Sequence, residues 1–248
     1  MRALNLQHLR CKWRFPFRCC VPAVFVFCLS AQTPPAQAPT PAPPPVPRFV
    51  VLLDAAHGGS DAGGRLASGE MEKFATLAFS VRLRSLLAAR GVGVVTTRES
   101  DVSVDSDRRA AIANHAKAAA CLSLHATESG SGIHLFTSSL APAQPTRFVA
   151  WKTAQAPWVT RSLALEGTVN SALQQAGMNV TLGRAPLLAV DSMTCPALAL
   201  EIAPERSPDG KVTAEPDDPA YQARVATTIA NALLAWRSDA NRVEGRQP

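Results

Sequence analysis

From residue 49 onward, short apolar runs alternate with longer segments whose apolar residues recur at helical spacing. The short runs predict strands at Phe49–Asp54, Val92–Thr97, Ala120–His125, Gly132–Thr137, Pro186–Val190 and Ala197–Ile202. The longer segments predict helices at Glu72–Arg90, Asp105–Lys117, Arg161–Ala176 and Pro219–Trp236. Such alternation is typical of α/β proteins. We therefore expect a single α/β domain with a central, mostly parallel sheet and helices on both faces.

The first 47 residues differ in character from the rest of the chain. A basic stretch that ends at Arg18 precedes the apolar run Val21–Ala31, which is typical of an export signal. We expect a signal peptide or a retained signal anchor at 1–31, with a mispredicted start as the alternative. Residues 32–47 are rich in proline and alanine and predict an extended linker. The length then leaves one folded domain at 48–238 and a polar tail at 239–248.

Charge and cysteine content narrow the function classes. The chain has 25 basic and 19 acidic residues, but five of the basic ones lie in residues 1–38, which leaves 20 against 19. A nearly neutral domain without a basic stripe does not support a nucleic-acid partner.

Four of the six cysteines lie in residues 1–31, and the other two, Cys121 and Cys195, share no metal-ligand spacing. A disulfide formed after export and two buried thiols are both open for this pair.

Four residues suited to metal-assisted hydrolysis lie on predicted strands or at the ends of predicted elements. His57 follows a strand, Glu72 opens a helix, His125 closes a strand, and Glu201 lies inside one. Ligands of such sheets collect beyond the carboxyl ends of the strands, so we expect His57, His125 and Glu201 to meet there. Two histidines and one glutamate suit a catalytic zinc that keeps a fourth position for water. The remaining glutamate then has a role as general base.

Six short motifs follow one another in a fixed order between Phe49 and about Trp236. They are Asp54-Ala-Ala-His57-Gly58-Gly59, Glu72-Lys73, Thr97-Arg98-Glu-Ser-Asp101, Arg109-Ala-Ala-Ile-Ala113-Asn114, Ser123-Leu124-His125 and Pro196-Ala-Leu-Ala-Leu-Glu201. In these motifs and their order the chain resembles the zinc-dependent N-acetylmuramoyl-L-alanine amidases of the amidase-3 family. Each match alone is weak, but six in order through one βα pattern form a specific signature.

The resemblance implies one Zn²⁺ per domain, bound by His57, Glu72 and His125, with Glu201 as the catalytic glutamate. It implies hydrolysis of the amide bond between N-acetylmuramic acid and L-alanine. Peptidoglycan is then the substrate, and the protein is expected to be exported to the periplasm or cell envelope. An activator protein and a membrane tether through the N-terminus are left open as partners.

The chain departs from the family pattern at three places. Ala56 stands where the family has glycine before the first histidine, and Thr127 replaces the asparagine after the second. The segment Ala203–Arg206 replaces the usual Gly-Phe-Leu-Ser-Asn run after the glutamate. Two other functions therefore stay open. One is a catalytically weak amidase-like domain that binds cell wall or needs activation by a partner. The other is a different zinc hydrolase, such as a peptidase that cuts within the stem peptide.

Several further residues lie near this set. Glu70 competes with Glu72 for the ligand role, although the lysine that follows selects Glu72 by the family pattern. Asp54 is expected to orient a ligand histidine. His115, near the end of a predicted helix, and His134, within a predicted strand beyond the site, are expected to be structural or exposed.

Two arginines, an asparagine and two tryptophans complete the candidates. Arg109 and Asn114 are expected to brace a helix and a loop. Arg184, in the turn before a predicted strand, is either a bidentate contact for a substrate carboxylate or a solvated arginine. Trp151 and Trp158 are candidates for stacking on sugar, but packing in the core is the favoured interpretation.

Overall fold

The computed structural model describes residues 49–244, with side chains for residues 49–238. The strands are β1 (Val50–Ala55), β2 (Gly93–Thr96), β3 (Ala120–Ala126), β4 (Ile133–Ser138), β5 (Val180–Ala185), β6 (Ala197–Ile202), β7 (Glu205–Arg206) and β8 (Val212–Ala214). The α-helices are α1 (Glu72–Ala88), α2 (Ser106–Ala116), α3 (Val159–Gln175) and α4 (Pro219–Glu244). Three 3₁₀ turns lie at Trp151–Thr153, Ala156–Trp158 and Val190–Ser192. The predicted signal and linker lie outside the described residues.

Six strands form one sheet in the order β2-β1-β3-β6-β4-β5, and β7 pairs with β8 separately. β1 pairs in parallel with both β2 and β3, and β3 pairs in parallel with β6. β4 runs antiparallel to β6 and parallel to β5, so β4 and β5 oppose the other four strands. The prediction of a mostly parallel sheet is confirmed. The carboxyl ends of β1, β3 and β6 therefore lie at the same edge.

Helices cover both faces of the sheet, as predicted. Because side chains alternate along a strand, Leu53, Leu122 and Leu200 point to one face, where the larger core cluster joins them to α1, α3 and α4. Leu52 and Ala197 point to the opposite face, in a smaller cluster that includes buried alanines of α2.

The side chains predicted for chemistry lie on the α2 face. Asp54 is two residues after Leu52 and Glu201 is four residues after Ala197, and even offsets along a strand keep the same face. His125 follows the same parity on β3, four residues after a buried cysteine of that cluster. These side chains therefore share both the carboxyl edge of the sheet and its α2 face, so they lie on one side of the domain.

Cys121 and Cys195 form a disulfide, which decides between the two alternatives left open by the sequence. Their Cα atoms are 6.3 Å apart, and both residues are buried. Cys121 lies in β3 and Cys195 lies just before β6, so the bridge joins the strands that carry His125 and Glu201.

The predicted strand Pro186–Val190 is wrong, because the strand in this region is β5 at Val180–Ala185. The residues after β5 turn back, with the Asp191 N–H donating to the Leu187 carbonyl at 2.7 Å. β5 is an edge strand whose side chains are exposed or half-buried. Its sequence consequently lacks the apolar run by which buried strands are recognised.

The last helix, α4, ends at Glu244 and so extends into the segment predicted as a polar tail. Within residues 49–244, no helix combines the length and the apolar character needed to cross a membrane.

Candidate metal centre

His57, Glu72 and His125 come together at the carboxyl edge of the sheet, as the strand positions predict for the two histidines and the family resemblance predicts for Glu72. His57 follows β1, Glu72 is the first residue of α1, and His125 is the penultimate residue of β3. His57 Nε2 lies 3.1 Å from Glu72 Oε2, and His125 Nδ1 lies 3.0 Å from Glu72 Oε1. One ligand atom from each residue can be chosen so that all three lie within 4.8 Å of one another. The competing Glu70 is not part of this group.

Glu72 is the buried member of the group, with 7% of its surface exposed. The Gly64 N–H donates to Oε2 at 2.9 Å and the Ala126 N–H donates to Oε1 at 3.3 Å. Burial alone would raise the pKa of Glu72, but the hydrogen bonds with the two histidines outweigh it and hold this pKa far below its usual range. The hydrogen bond with Glu72 in turn raises the pKa of His57, against the effect of burial. The group is therefore built around an ionised carboxylate.

The His57 ring is oriented by Asp61, whose Oδ2 lies 2.8 Å from Nδ1. Asp54 was predicted to orient a ligand histidine, and this stays a prediction, because Ser123 Oγ lies 3.0 Å from Asp54 Oδ2 and 3.4 Å from His125 Nε2 and so links the two residues. The Asp54 carboxylate accepts hydrogen bonds from Thr97, Arg109 and Ser123 and has no histidine partner within the described residues. Asp54 is the penultimate residue of β1, whereas Asp61 lies in the loop between β1 and α1 that also carries His57.

The loop that carries His57 has an unusual backbone. His57 has φ 61°, a left-handed conformation that a residue with a side chain rarely adopts. Gly63 lies against it, and a Cβ on Gly63 would come within 2.6 Å of His57 Cδ2 and 2.7 Å of Glu72 Oε2. Only glycine fits between the two side chains, so the second Gly-Gly pair of the sequence has a role that its motif did not reveal.

Arg109 holds this backbone in place, as predicted. Its guanidinium donates to the Ala55 carbonyl and to the His57 carbonyl, both at 2.7 Å, and forms an ion pair with Asp54. Asn114 also braces a loop, since its side chain donates to the Ser192 carbonyl and accepts from the Thr194 N–H.

Arg98 has a similar bracing role that sequence reasoning did not assign. It donates to the Ala55, Ala56 and Lys73 carbonyls at 2.9, 2.9 and 2.7 Å. Asp101, from the same motif, accepts from Lys73 Nζ and from the Gly59 N–H. These contacts tie the start of α1 to the loop after β1, and so fix Glu72 relative to His57.

Glu201 lies beside the group in the sheet. It is the register partner of His125 on the neighbouring parallel strand, and its side chain is 30% exposed. On its other side, Glu201 is the register partner of His134, whose Nδ1 lies 2.7 Å from Glu201 Oε2. The prediction that places His134 beyond the site is wrong. The alternation Ile133-His134-Leu135 was the available signal, because it puts His134 on the opposite face of the sheet from the buried Ile133 and Leu135.

The remaining candidates lie apart from this group. His115 is exposed on α2, as predicted. Arg184 belongs to β5 and donates to the Ser138 and Leu140 carbonyls, so its role within the described residues is structural. Trp151 is 41% exposed rather than packed in the core, so that interpretation is wrong for it.

A groove of about 500 Å³ opens beside the histidines. One wall carries polar side chains, among them His57, Asp61 and His125. The other wall is apolar and includes Leu187 and Leu188, of which Leu188 is 75% exposed. A polar reactive group thus faces a cleft that is open to large ligands.

The donor set fits zinc. Tetrahedral coordination with bonds of about 2.1 Å requires donor atoms roughly 3.4 Å apart, close to the separations between Glu72 and each histidine. The His57–Asp61 contact has the arrangement common at metal sites, in which a ligand histidine uses one ring nitrogen and donates the other N–H to a carboxylate. Two imidazoles and a carboxylate are three of the ligands that a catalytic zinc takes.

Comparison with known proteins finds a matching family and similar proteins. Residues 51–235 match the sequence profile of the amidase-3 family, described as N-acetylmuramoyl-L-alanine amidase. The endolysin of Bacillus phage SPP1 is 41% identical over 90 residues, 35% of this chain and 33% of the endolysin. The amidase AmiC of Escherichia coli O6:H1 is 32% identical over 131 residues, 49% of this chain and 31% of AmiC. The chain thus matches about a third of the length of these relatives.

A solved structure shows the same fold. The apo form of the N-acetylmuramyl-L-alanine amidase Ami1 from Mycobacterium abscessus superimposes with a TM-score of 0.62 at 20% identity, over 77% of this chain and 99% of that one. At this identity the likeness concerns the fold alone.

Proposed function

The chain belongs to the amidase-3 family of N-acetylmuramoyl-L-alanine amidases, and from this membership we propose that it hydrolyses the amide bond between N-acetylmuramic acid and L-alanine in peptidoglycan. The observation that carries the proposal is the meeting of His57, Glu72 and His125 within 4.8 Å, with Glu201 in register beside them. This is a metal-ligand set with a carboxylate next to it, the combination that metal-assisted amide hydrolysis uses.

In the proposed site, His57, Glu72 and His125 hold one zinc ion. Zinc bound there supplies Lewis acidity, which polarises a carbonyl group and lowers the pKa of water. Asp61 keeps the His57 ring in orientation, and the N–H groups of Gly64 and Ala126 keep the Glu72 carboxylate in its rotamer. The protein's contribution is to present these donors already assembled.

Glu201 is the proposed general base. Its Oε2 is engaged by His134, so Oε1 is the oxygen that accepts the proton of the attacking water. The water oxygen forms a bond to the amide carbon, and the carbon–nitrogen bond breaks. Glu201 then returns the proton to the departing alanine nitrogen, which leaves as an amine. The glycan keeps the lactyl carboxylate, and the stem peptide is released intact.

The proposed location is the cell envelope, with residues 1–31 as export signal or anchor, residues 32–47 as linker and residues 48–238 as catalytic domain. The Cys121–Cys195 disulfide supports it, because such bonds persist in oxidising compartments. A fusion of residues 1–47 to a reporter that is active only after export tests the signal. The mass of the secreted or membrane-held product then separates cleavage from a retained tether.

Digestion of purified peptidoglycan tests the proposed activity. The protein is stripped of metal with a chelator, reloaded with Zn²⁺ and compared with Glu201→Gln, and the fragments are identified by mass spectrometry. Zinc-dependent release of stem peptides with a free alanine amine is expected, with loss in the variant. Other new termini would identify a peptidase instead. Bound zinc without any release would indicate a wall-binding or partner-activated domain.

A further inference from the structure

We propose that His134 is a positioning residue for Glu201, and that it sets which carboxylate oxygen is free to take the proton. The inference rests on the proposed function, since it gives Glu201 the role of base. Neither the order of motifs nor the metal-ligand group includes His134.

Glu201 sits in the middle of a row of three side chains that crosses three strands. His125 on β3, Glu201 on β6 and His134 on β4 are successive register partners. Directly opposed residues on neighbouring strands have Cβ atoms about 5 Å apart, so the three side chains of the row lie side by side. Glu201 therefore has the metal group on one side and His134 on the other. Within the described residues, His134 is the side chain that hydrogen-bonds to its carboxylate.

The contact has the geometry of a strong hydrogen bond. His134 Nδ1 lies 2.7 Å from Glu201 Oε2, at the short end of the range for nitrogen donors. A carboxylate that is to act as a base can only accept, so the proposal requires the His134 tautomer with the proton on Nδ1. When Oε1 of Glu201 is protonated, Oε2 remains an acceptor for the same N–H. The bond therefore persists through proton transfer.

The His134 ring is held in turn by its surroundings. Gly130 has φ 81°, and a Cβ on it would lie 2.5 Å from Cε1 and 2.7 Å from Nε2 of the ring. The Phe136 ring meets His134 edge to face, with centroids 6.4 Å apart. Only 14% of the His134 side chain is exposed. A ring confined on these sides can impose an orientation on the partly exposed Glu201 carboxylate.

Two substitutions separate positioning from simple packing. His134→Leu keeps most of the volume and removes the donor, whereas His134→Asn places an amide N–H near the position of Nδ1. His115→Asn, at the exposed histidine of α2, is the matched control. The kcat and KM on soluble muropeptides, the zinc content and the melting temperature are measured for all three and for the wild type.

We expect kcat of His134→Leu to fall about ten- to a hundred-fold, the size of one hydrogen bond to a charged group. KM should stay within about two-fold, zinc content should be unchanged, and His134→Asn should recover most of the rate. Wild-type kcat in His134→Leu would overturn the proposal while leaving the amidase function intact. Equal rate losses in the Leu and Asn variants, accompanied by lost zinc or lower melting temperature, would also overturn it. An inactive wild type would instead contradict the proposed function.

A measurement without catalysis keeps the inference testable if the variants fold poorly. Imidazole ¹⁵N shifts report which ring nitrogen of His134 carries the proton in the wild-type protein. A protonated Nδ1 that changes its shift in Glu201→Gln supports the proposal. A ring protonated on Nε2 alone would overturn it, because Nδ1 could then not donate to Glu201.

Discussion

The two halves of the candidate site are held in different ways. On the β1 and β3 side, several buried hydrogen bonds hold the backbone around His57. Arg109 and Arg98 together donate to the carbonyls of residues 55, 56, 57 and 73, and Asp54 accepts from three side chains. On the β6 and β4 side, Glu201 has one side-chain partner among the described residues, His134.

The difference follows from what each half must do. Metal ligands need fixed positions, because a small displacement costs affinity, and several simultaneous contacts supply that precision. A general base needs one free oxygen and access to water, so fewer contacts and partial exposure suit it. We therefore expect substitutions in the first half to lower stability and substitutions in the second half to lower rate.

Glu201→Gln is expected to have the largest effect. The amide cannot accept the proton, so kcat should fall about 10²- to 10⁴-fold, while the shape of the side chain is retained. Steady-state hydrolysis of muropeptides measures the loss, and thermal unfolding of the same sample should show little change. A large drop in melting temperature without a drop in kcat would contradict the expectation that the β6 and β4 half of the site governs the rate rather than the stability.

Arg109→Met tests the other half. It leaves Asp54 buried at 1% exposure without its cation and removes the support of the His57 carbonyl, so unfolding should be easier by about 4 kcal/mol. Urea unfolding measures the change. Arg108→Met, at the exposed neighbour on α2, is the control and should stay within about 0.5 kcal/mol of wild type. Similar values for the two variants would show that the buried contacts around Asp54 are redundant.

The disulfide joins the two halves, since it links β3 to the segment before β6 across a separation of 74 residues. Replacing Cys121 and Cys195 together by alanine should cost about 3 kcal/mol, because the unfolded chain is no longer constrained. Unfolding of the variant and of the reduced wild type should then agree. A wild type whose stability is insensitive to reductant would argue against the bridge.

The sequence was sufficient for the parts of the fold that repeat a simple pattern. β6 was predicted with the observed bounds, and β1 was displaced by one residue, because buried parallel strands are continuous apolar runs. The meeting of His57 and His125 followed from topology alone, since both lie at the carboxyl ends of strands. Glu72 needed the family motif, because a glutamate that opens a helix has an ordinary structural explanation.

The parts that failed depend on contacts distant in sequence. β5 was missed because an edge strand need not be apolar. His134 was assigned outside the site because its contact with Glu201 exists only through the antiparallel pairing of β4 with β6. The contact of Asp61 with His57 was not predicted, since the path of the loop after β1 is not encoded in a local pattern.

The two sides of the sheet also differ in whether their buried polar side-chain atoms have hydrogen-bond partners. Around Asp54, the buried side-chain atoms are hydrogen-bonded, whereas Glu166 Oε1, on the helix α3 that packs against β4 and β6, is buried without a partner among the described residues. Only 7% of Glu166 is exposed. Burial raises the pKa of Glu166 above its ordinary value of 4.5, and the charge of Arg184 offsets this only in part.

Glu166→Gln should therefore stabilise the protein slightly, in a manner that depends on pH. With the folded pKa raised, stability is highest below the unfolded pKa, falls as pH rises through the interval between the two values, and stays lower above it. Glutamine does not ionise, so the variant does not lose stability as the pH rises. It should be more stable than wild type by on the order of 1 kcal/mol at pH 7. Near pH 4 the two proteins should be equally stable. Urea unfolding at both pH values measures the difference, with Glu128→Gln at an exposed position as the control. Equal stabilities at pH 7 would mean that water reaches Glu166. The buried polar atoms near β4 and β6 would then be as fully hydrogen-bonded as those around Asp54.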